Sequence, residues 1–286
     1  MRGYRERREE VFKWLAPKNY EVDQISTINR RSDGTGKWLL DSPEYRGWLG
    51  AEKATLFCSG IPGAGKTFIT ATVIKDLYSR FPQESGPKVG VAYLYLNYQQ
   101  EQSDHEPECL LKNLLGQLIL SLPHTDEALE TFQFARKLYE SYGQRGDGTR
   151  STQQTFSEVF RRVGNWYDKV FVVIDALDEC GSSAQCHAFV SQIVSLQSET
   201  DMCIFATSRV REDALLFGEY MCFSLDIRAS DEDVQNYLDG RMAEFGDKFK
   251  KNLALKEEIK AEITRKADGW QVEPLTIFVY LSDVMS

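Results

Sequence analysis

Gly60-Ile61-Pro62-Gly63-Ala64-Gly65-Lys66-Thr67 decides how the rest of this chain is read. The octapeptide fits the spacing G-x-x-x-x-G-K-[ST]. It falls between a short apolar run, Ala54–Ser59, and a segment, Lys66–Arg80, whose apolar residues Ile69, Val73, Ile74 and Leu77 recur with a helical period. A strand before and a helix after are what a phosphate-binding loop requires. The glycines allow the backbone to curl until several N–H groups point inward at phosphate oxygens, and the helix N-terminus adds positive partial charge. Lys66 is expected to bridge β- and γ-phosphates, and Thr67 to offer its hydroxyl to magnesium. The nucleotide contacts are expected to run from Gly60 through Thr67 to Phe68.

A second stretch, Val170-Phe-Val-Val-Ile-Asp-Ala-Leu-Asp-Glu-Cys180, is an apolar strand ending in Asp175. An aspartate there holds magnesium, usually through a water, opposite the loop threonine. Asp178 and Glu179 follow on the loop that leaves the strand, and one of them could polarise the water that attacks a γ-phosphate. Three carboxylates within five residues repel one another, and a bound cation relieves that repulsion. A third stretch, Met202-Cys-Ile-Phe-Ala-Thr-Ser208, is a strand followed by Arg209. At the carboxyl end of a parallel sheet, Arg209 or alternatively Arg211 could touch the γ-phosphate and tell triphosphate from diphosphate.

Outward from these three stretches, strands and helices alternate. Val89–Asn97 and 221–225 read as further strands, and 108–122, 125–140, 152–166 and 183–196 as helices, with a polar loop over 141–150. Unbroken apolar strands between helices indicate a parallel sheet covered on both faces. Residues 2–15 read as a charged helix stopped by Pro17, and 18–36 as a polar linker carrying Gly34 and Gly36. Ser42-Pro43 marks a helix start, and the tryptophans at 38 and 48 read as core anchors. After residue 229 only helices are expected, over 231–245 and 254–267. The organisation expected is therefore an N-terminal helix and linker docking on the core (1–48), the nucleotide-binding domain (49–228) and a helical subdomain (229–286).

The whole-chain quantities agree. With 286 residues and 42% hydrophobic content, the chain can form one large domain or two unequal ones. A net charge of −9, from 34 basic and 43 acidic residues, disfavours nucleic acid or an anionic membrane as the main partner. The six cysteines form no CxxC pair and no zinc spacing, so they are expected as buried free thiols of an intracellular, cytoplasmic protein. No signal peptide and no membrane span is expected. The sequence contains no N-K-x-D guanine motif and no arginine-rich lid, which argues against a GTPase or a small-molecule kinase.

Together these residues resemble the NACHT family of signal-transduction NTPases, and among them the fungal NLR-like proteins associated with ankyrin or WD repeats and the nephrocystin-like NACHT group. Thr35-Gly36-Lys37-Trp38 with Asp41-Ser42-Pro43-Glu44-Tyr45, the loop at 60–67, Ile174-Asp175-Ala-Leu-Asp178-Glu179-Cys180, the strand end Ala206-Thr-Ser-Arg209, and Ala267-Asp268-Gly269 carry the likeness. The resemblance implies an α/β P-loop NTPase with a parallel five-stranded sheet of the additional-strand ATPase type, the strand before Arg209 lying between the other two motif strands, and a small helical subdomain. It implies ATP/ADP with Mg2+ as cofactors, slow hydrolysis serving a switch, and homo-oligomerisation on activation. Carried over, Lys66 and Thr67 bind phosphate and magnesium, Asp175 holds magnesium, Asp178 or Glu179 is hydrolytic, and Arg209 senses the γ-phosphate. An AAA-like remodelling ATPase and a degenerate nucleotide-binding scaffold are the alternatives. Similar chains continue past Ala-Asp-Gly into winged-helix and repeat modules through which protein partners are met. Here WQVEPLTIFVYLSDVMS follows, so a truncated or misassembled gene end is expected, with Pro274-Leu275 an alternative adenine-touching element.

Overall fold

The structure is a computed structural model and describes residues 18–31, 34–82, 88–99, 102–122, 132–135, 150–218, 222–228, 235, 236, 238, 239 and 257. The helices expected over 2–15, 231–245 and 254–267, the loop over 141–150, the Ala267-Asp268-Gly269 element and the Pro274-Leu275 pair lie wholly or almost wholly outside these residues.

Five parallel strands form one sheet: β1 (Thr55–Ser59), β2 (Val89–Tyr95), β3 (Lys169–Asp175), β4 (Met202–Ser208) and β5 (Cys222–Asp226), in the spatial order β2-β3-β4-β1-β5. The strand before Arg209 thus lies between the other two motif strands, as the additional-strand arrangement requires. The central strands are continuous apolar runs, and β1 and β4 are buried at every position, as strands covered on both faces must be. Register aligns the strand ends, with Ser59 opposite Ser208 and Tyr95 opposite Asp175, so the motif residues emerge along one edge. At the outer strand β2, the Gln117 side chain accepts from the Tyr93 N–H (2.9 Å) and donates to its carbonyl (2.7 Å), which satisfies an otherwise open sheet edge.

Helices α1 (Tyr20–Arg30), α2 (Lys37–Asp41), α3 (Pro43–Gly50) and α4 (Lys66–Arg80) pack with one another on one side. Helices α5 (Pro107–Leu120), α6 (Arg150–Gly164) and α7 (Ser183–Glu199) pack together on the other. Ser42 caps α3, its hydroxyl accepting from Tyr45 N–H at 3.1 Å with Pro43 in the first turn. Trp48, fully buried, then meets Phe171 at 5.1 Å and Phe205 at 6.0 Å between ring centroids. The Tyr45 hydroxyl donates to Asp76 of α4 at 2.7 Å. This stretch is therefore a clamp between sheet and helix α4. Trp48→Ala is expected to cost about 3–5 kcal/mol. At roughly 2–4 °C per kcal/mol, the melting temperature should fall by about 6–20 °C in scanning calorimetry; an unchanged transition would exclude the anchoring role.

One expectation is corrected. Residues 18–36 are not an irregular linker: Tyr20–Arg30 is the helix α1. Asn19 caps it, accepting from Glu21 N–H at 3.0 Å, and Glu21 and Asp23 lie in the first turn where the helix dipole favours acids. Its inward stripe is Tyr20, Asp23, Gln24, Thr27 and Ile28, whereas Val22 and Ile25 face outward at 63% and 50% exposure. The apolar pattern is thus inverted, and polar contacts hold the helix down.

Among the described residues Cys58, Cys180 and Cys203 are buried and Cys109 and Cys186 half-buried, all free. No helix among them is long and apolar enough to cross a membrane.

Candidate functional site

The loop at 60–67 connects β1 to α4, and its base is tied on both sides. Gly60 N–H donates to Ser208 O (3.1 Å), and Ile227 N–H donates to Ser59 O (2.6 Å). A Cβ on residue 60 would meet the Ile227 carbonyl oxygen at 2.8 Å, so only glycine fits there. Gly63 and Gly65 take φ of 79° and 86°, the left-handed region that a side chain disfavours, and Gly65 stands at the start of α4. Between them Ala64 is buried, while Ile61, Pro62 and Thr67 are exposed and Phe68 is half-buried. Lys66 folds back across the loop, its Nζ donating to the carbonyls of Gly60 (2.6 Å) and Ile61 (2.9 Å). Burial lowers its pKa, Asp178 opposes that shift, and Arg209 adds to it. A lysine folded over a glycine-bearing loop at a helix N-terminus is an arrangement that could hold a phosphate.

Asp175 is buried at the end of β3. Its Oδ1 accepts from the hydroxyls of Thr70 (2.7 Å) and Thr207 (2.8 Å), and Thr67, one turn before Thr70 on α4, faces the same carboxyl. Burial raises its pKa, and the three threonines pull it back. Thr207 also accepts from Ala176 N–H at 2.9 Å. That bond fixes Ala176, a non-glycine residue at φ 56°, at the point where the chain leaves the strand. A buried carboxylate beside a threonine hydroxyl on a helix N-terminus is an oxygen donor set suited to a hard cation such as Mg2+. Asp175 and Thr67 would hold it, and it would supply charge neutralisation for the phosphates. Thr70 and Thr207 are site residues that sequence reading alone does not assign, although Thr70 stands one helical turn after Thr67.

The left-handed Ala176 starts a 3-10 turn, Leu177–Glu179, that presents both candidate hydrolytic carboxylates. Arg209 holds both. Its backbone N–H donates to Asp178 Oδ1 (2.9 Å), its Nε lies 3.2 Å from Asp178 Oδ2, and its Nη2 pairs with Glu179. Glu179 also accepts from Tyr98 N–H at 3.2 Å. Arg211 is directed elsewhere, to an ion pair with Asp226, whose carboxyl also accepts from Ser59 Oγ at 2.5 Å. The structure thus gathers Lys66, Thr67, Asp175, Asp178, Glu179 and Arg209 at one edge of the sheet and leaves Arg211 out.

Beside them opens a cavity of about 460 Å³, bordered by Thr67, Asp175, Ala176 and Glu179, by residues 95–99 at and after the end of β2, and by Lys18, Asp23 and Thr27 of the N-terminal segment. Glu179 borders this cavity and Asp178 does not.

A family model described as Nephrocystin 3, N-terminal, matches residues 34–209, which include Lys66, Thr67, Asp175, Asp178, Glu179 and Arg209. No curated protein matches the chain in sequence. Among solved structures, a DNA replication initiation factor matches with a TM-score of 0.43 at 12% identity, covering 88% of this chain and 61% of that one. The replication initiator DnaA, bound to AMPPCP and single-stranded DNA, matches with a TM-score of 0.41 at 13% identity, covering 85% of this chain and 60% of that one. PCH-2 from C. elegans matches with a TM-score of 0.43 at 14% identity, covering 93% and 67%. The chain spans about three fifths of the length of the first two.

Proposed function

The chain belongs to the nephrocystin 3 N-terminal family, a NACHT-like group with a P-loop ATPase fold, and from that premise we propose that it is a nucleotide-operated switch. It binds ATP and ADP with Mg2+ and hydrolyses slowly. The observation that carries this reading is the convergence of Lys66, Thr67, Asp175, Glu179 and Arg209 on one edge of the sheet, with Thr67, Asp175 and Glu179 bordering one cavity. Phosphate contacts run from Gly60 to Phe68, Thr67 and Asp175 serve the cation, Glu179 orients the attacking water, and Arg209 reads the third phosphate. Its position between the cavity carboxylate and the β4 end lets Arg209 exchange Glu179 for a γ-phosphate, which couples phosphate state to the loop that carries it. The division into 1–48, 49–228 and 229–286, a homo-oligomer on activation, protein partners met through further modules and a cytoplasmic location belong to the same proposal. The net charge of −9 favours a surface that meets neither nucleic acid nor an anionic membrane.

The direct test is thermal. A ligand that binds only the folded chain at a hundred times its Kd adds about 2.7 kcal/mol. For a chain of this size that is roughly 5–10 °C in melting temperature. Saturating ATP or ADP should give such a rise with Mg2+ and a smaller one with a chelator; a flat response to both nucleotides excludes the switch. Steady hydrolysis of many turnovers per minute would mark a remodelling ATPase instead.

A further inference from the structure

Helix α1 belongs to none of the nucleotide motifs, yet it is fastened to α4, which carries Thr67, and to β2, the strand beside the one that carries Asp175. Gln24 donates from Nε2 to Ala71 O of α4 at 3.0 Å, and its Oε1 accepts the hydroxyl of Tyr95 on β2. Ala71 lies one turn beyond Thr67 and directly follows Thr70, whose hydroxyl donates to Asp175. Tyr95 is the register partner of Asp175 on the neighbouring strand, so both side chains leave the same face of the sheet. Both also border the cavity beside Thr67. A ring of contacts therefore closes around the magnesium side: Asp175 to Thr70, along α4 to Ala71, across Gln24 to Tyr95, and back to Asp175 through the sheet.

The Tyr95 side chain is almost wholly buried, and burial raises its pKa with the Asp175 charge adding to the rise, so the phenol stays protonated and needs an acceptor. The Gln24 amide oxygen accepts it, while the Asp175 carboxylate, on the register-paired residue of the same sheet face, lies near enough for its charge to act on the phenol. We propose that Gln24 is a positioning residue for the magnesium side of the nucleotide site: by accepting the Tyr95 hydroxyl it keeps that hydroxyl off Asp175, leaving the carboxylate to Thr67 and the cation. Through this residue the N-terminal helix sets how readily the site takes magnesium. The inference rests on the assignment of Asp175 and Thr67 as the cation ligands.

The test compares the intact chain with Gln24→Leu, Tyr95→Phe and the double variant, titrating Mg2+ at fixed ADP and reading nucleotide affinity by calorimetry and melting temperature. Gln24→Leu should raise the Mg2+ concentration needed for half-maximal effect about tenfold, the effect of one hydrogen bond to a charged group. Its affinity for ADP in the presence of chelator should be unchanged. Adding Tyr95→Phe should return the requirement to the parent value, because the competing hydroxyl is gone; a purely structural role for Gln24 would not be rescued this way. Tyr95→Phe alone should need no more Mg2+ than the parent. The inference is overturned if Gln24→Leu needs no extra Mg2+, if the double variant keeps the defect, or if Tyr95→Phe alone raises the requirement. A parent chain that binds ADP without any response to Mg2+ overturns the ligand assignment itself, and this inference with it.

Discussion

Lys66→Ala should weaken ATP and ADP binding by roughly 10²–10⁴-fold. A lysine donating to two phosphate groups makes two charge-assisted hydrogen bonds of roughly 1.5–3 kcal/mol each, and about 3–6 kcal/mol corresponds to that range in Kd. Among the described residues no neighbour replaces a cation that bridges two phosphates: Arg209, paired with Asp178 and Glu179, is assigned to the third phosphate alone, and Arg211 is paired with Asp226. The free protein should melt nearly as before, because the buried ammonium is held at a desolvation cost that lowers its pKa. Its two bonds to the carbonyls of Gly60 and Ile61 are bonds to neighbours within the same loop. Lys66→Met, which keeps the apolar stem, should lose affinity equally. Isothermal titration of ADP against both variants checks this, and parent-like affinity in either refutes the phosphate assignment.

What the sequence could reveal divides along local and non-local lines. The loop at 60–67 was legible because its determinants are consecutive: glycines at the positive φ positions, a lysine, and a threonine at a helix start. The sheet was legible because VFVVID and MCIFATS are too apolar to sit anywhere but between two covered faces. The surroundings of Asp175 were not. Thr207 reaches it only because β4 lies beside β3, and Thr70 only because α4 runs over that face. Nothing in the spacing of residues 70, 175 and 207 announces that meeting. Helix α1 escaped notice for a different reason. Periodicity detects helices that bury apolar stripes, and here the exposed positions include Val22 and Ile25 while Gln24 and Asp23 face in. A helix fastened by hydrogen bonds to a site reads, in sequence, like a polar linker. Sequence likewise left Asp178 and Glu179 equivalent as hydrolytic candidates. The structure separates their surroundings, since only Glu179 borders the cavity, and that difference favours Glu179.

The consequence is that Glu179→Gln should slow ATP hydrolysis by about 10²–10⁴-fold, the usual contribution of a positioned general base, while nucleotide affinity stays within a few-fold. The amide keeps the shape of the carboxylate and its acceptor oxygen for Tyr98 N–H but cannot take the proton of an attacking water. It also surrenders the ion pair with Arg209. That guanidinium then has one partner fewer in the resting site and should turn to a γ-phosphate more readily. Affinity for ATP should therefore rise slightly relative to ADP. Asp178→Asn is expected to act differently. Asp178 accepts the Arg209 backbone N–H and faces Arg209 Nε, so weakening it should loosen the loop after β4. Discrimination between ATP and ADP would then suffer more than the hydrolytic step. Single-turnover hydrolysis beside equilibrium titration of both nucleotides separates the two outcomes. A chain in which Asp178→Asn stops hydrolysis and Glu179→Gln does not would reverse the roles of these neighbours and assign the water to the carboxylate away from the cavity.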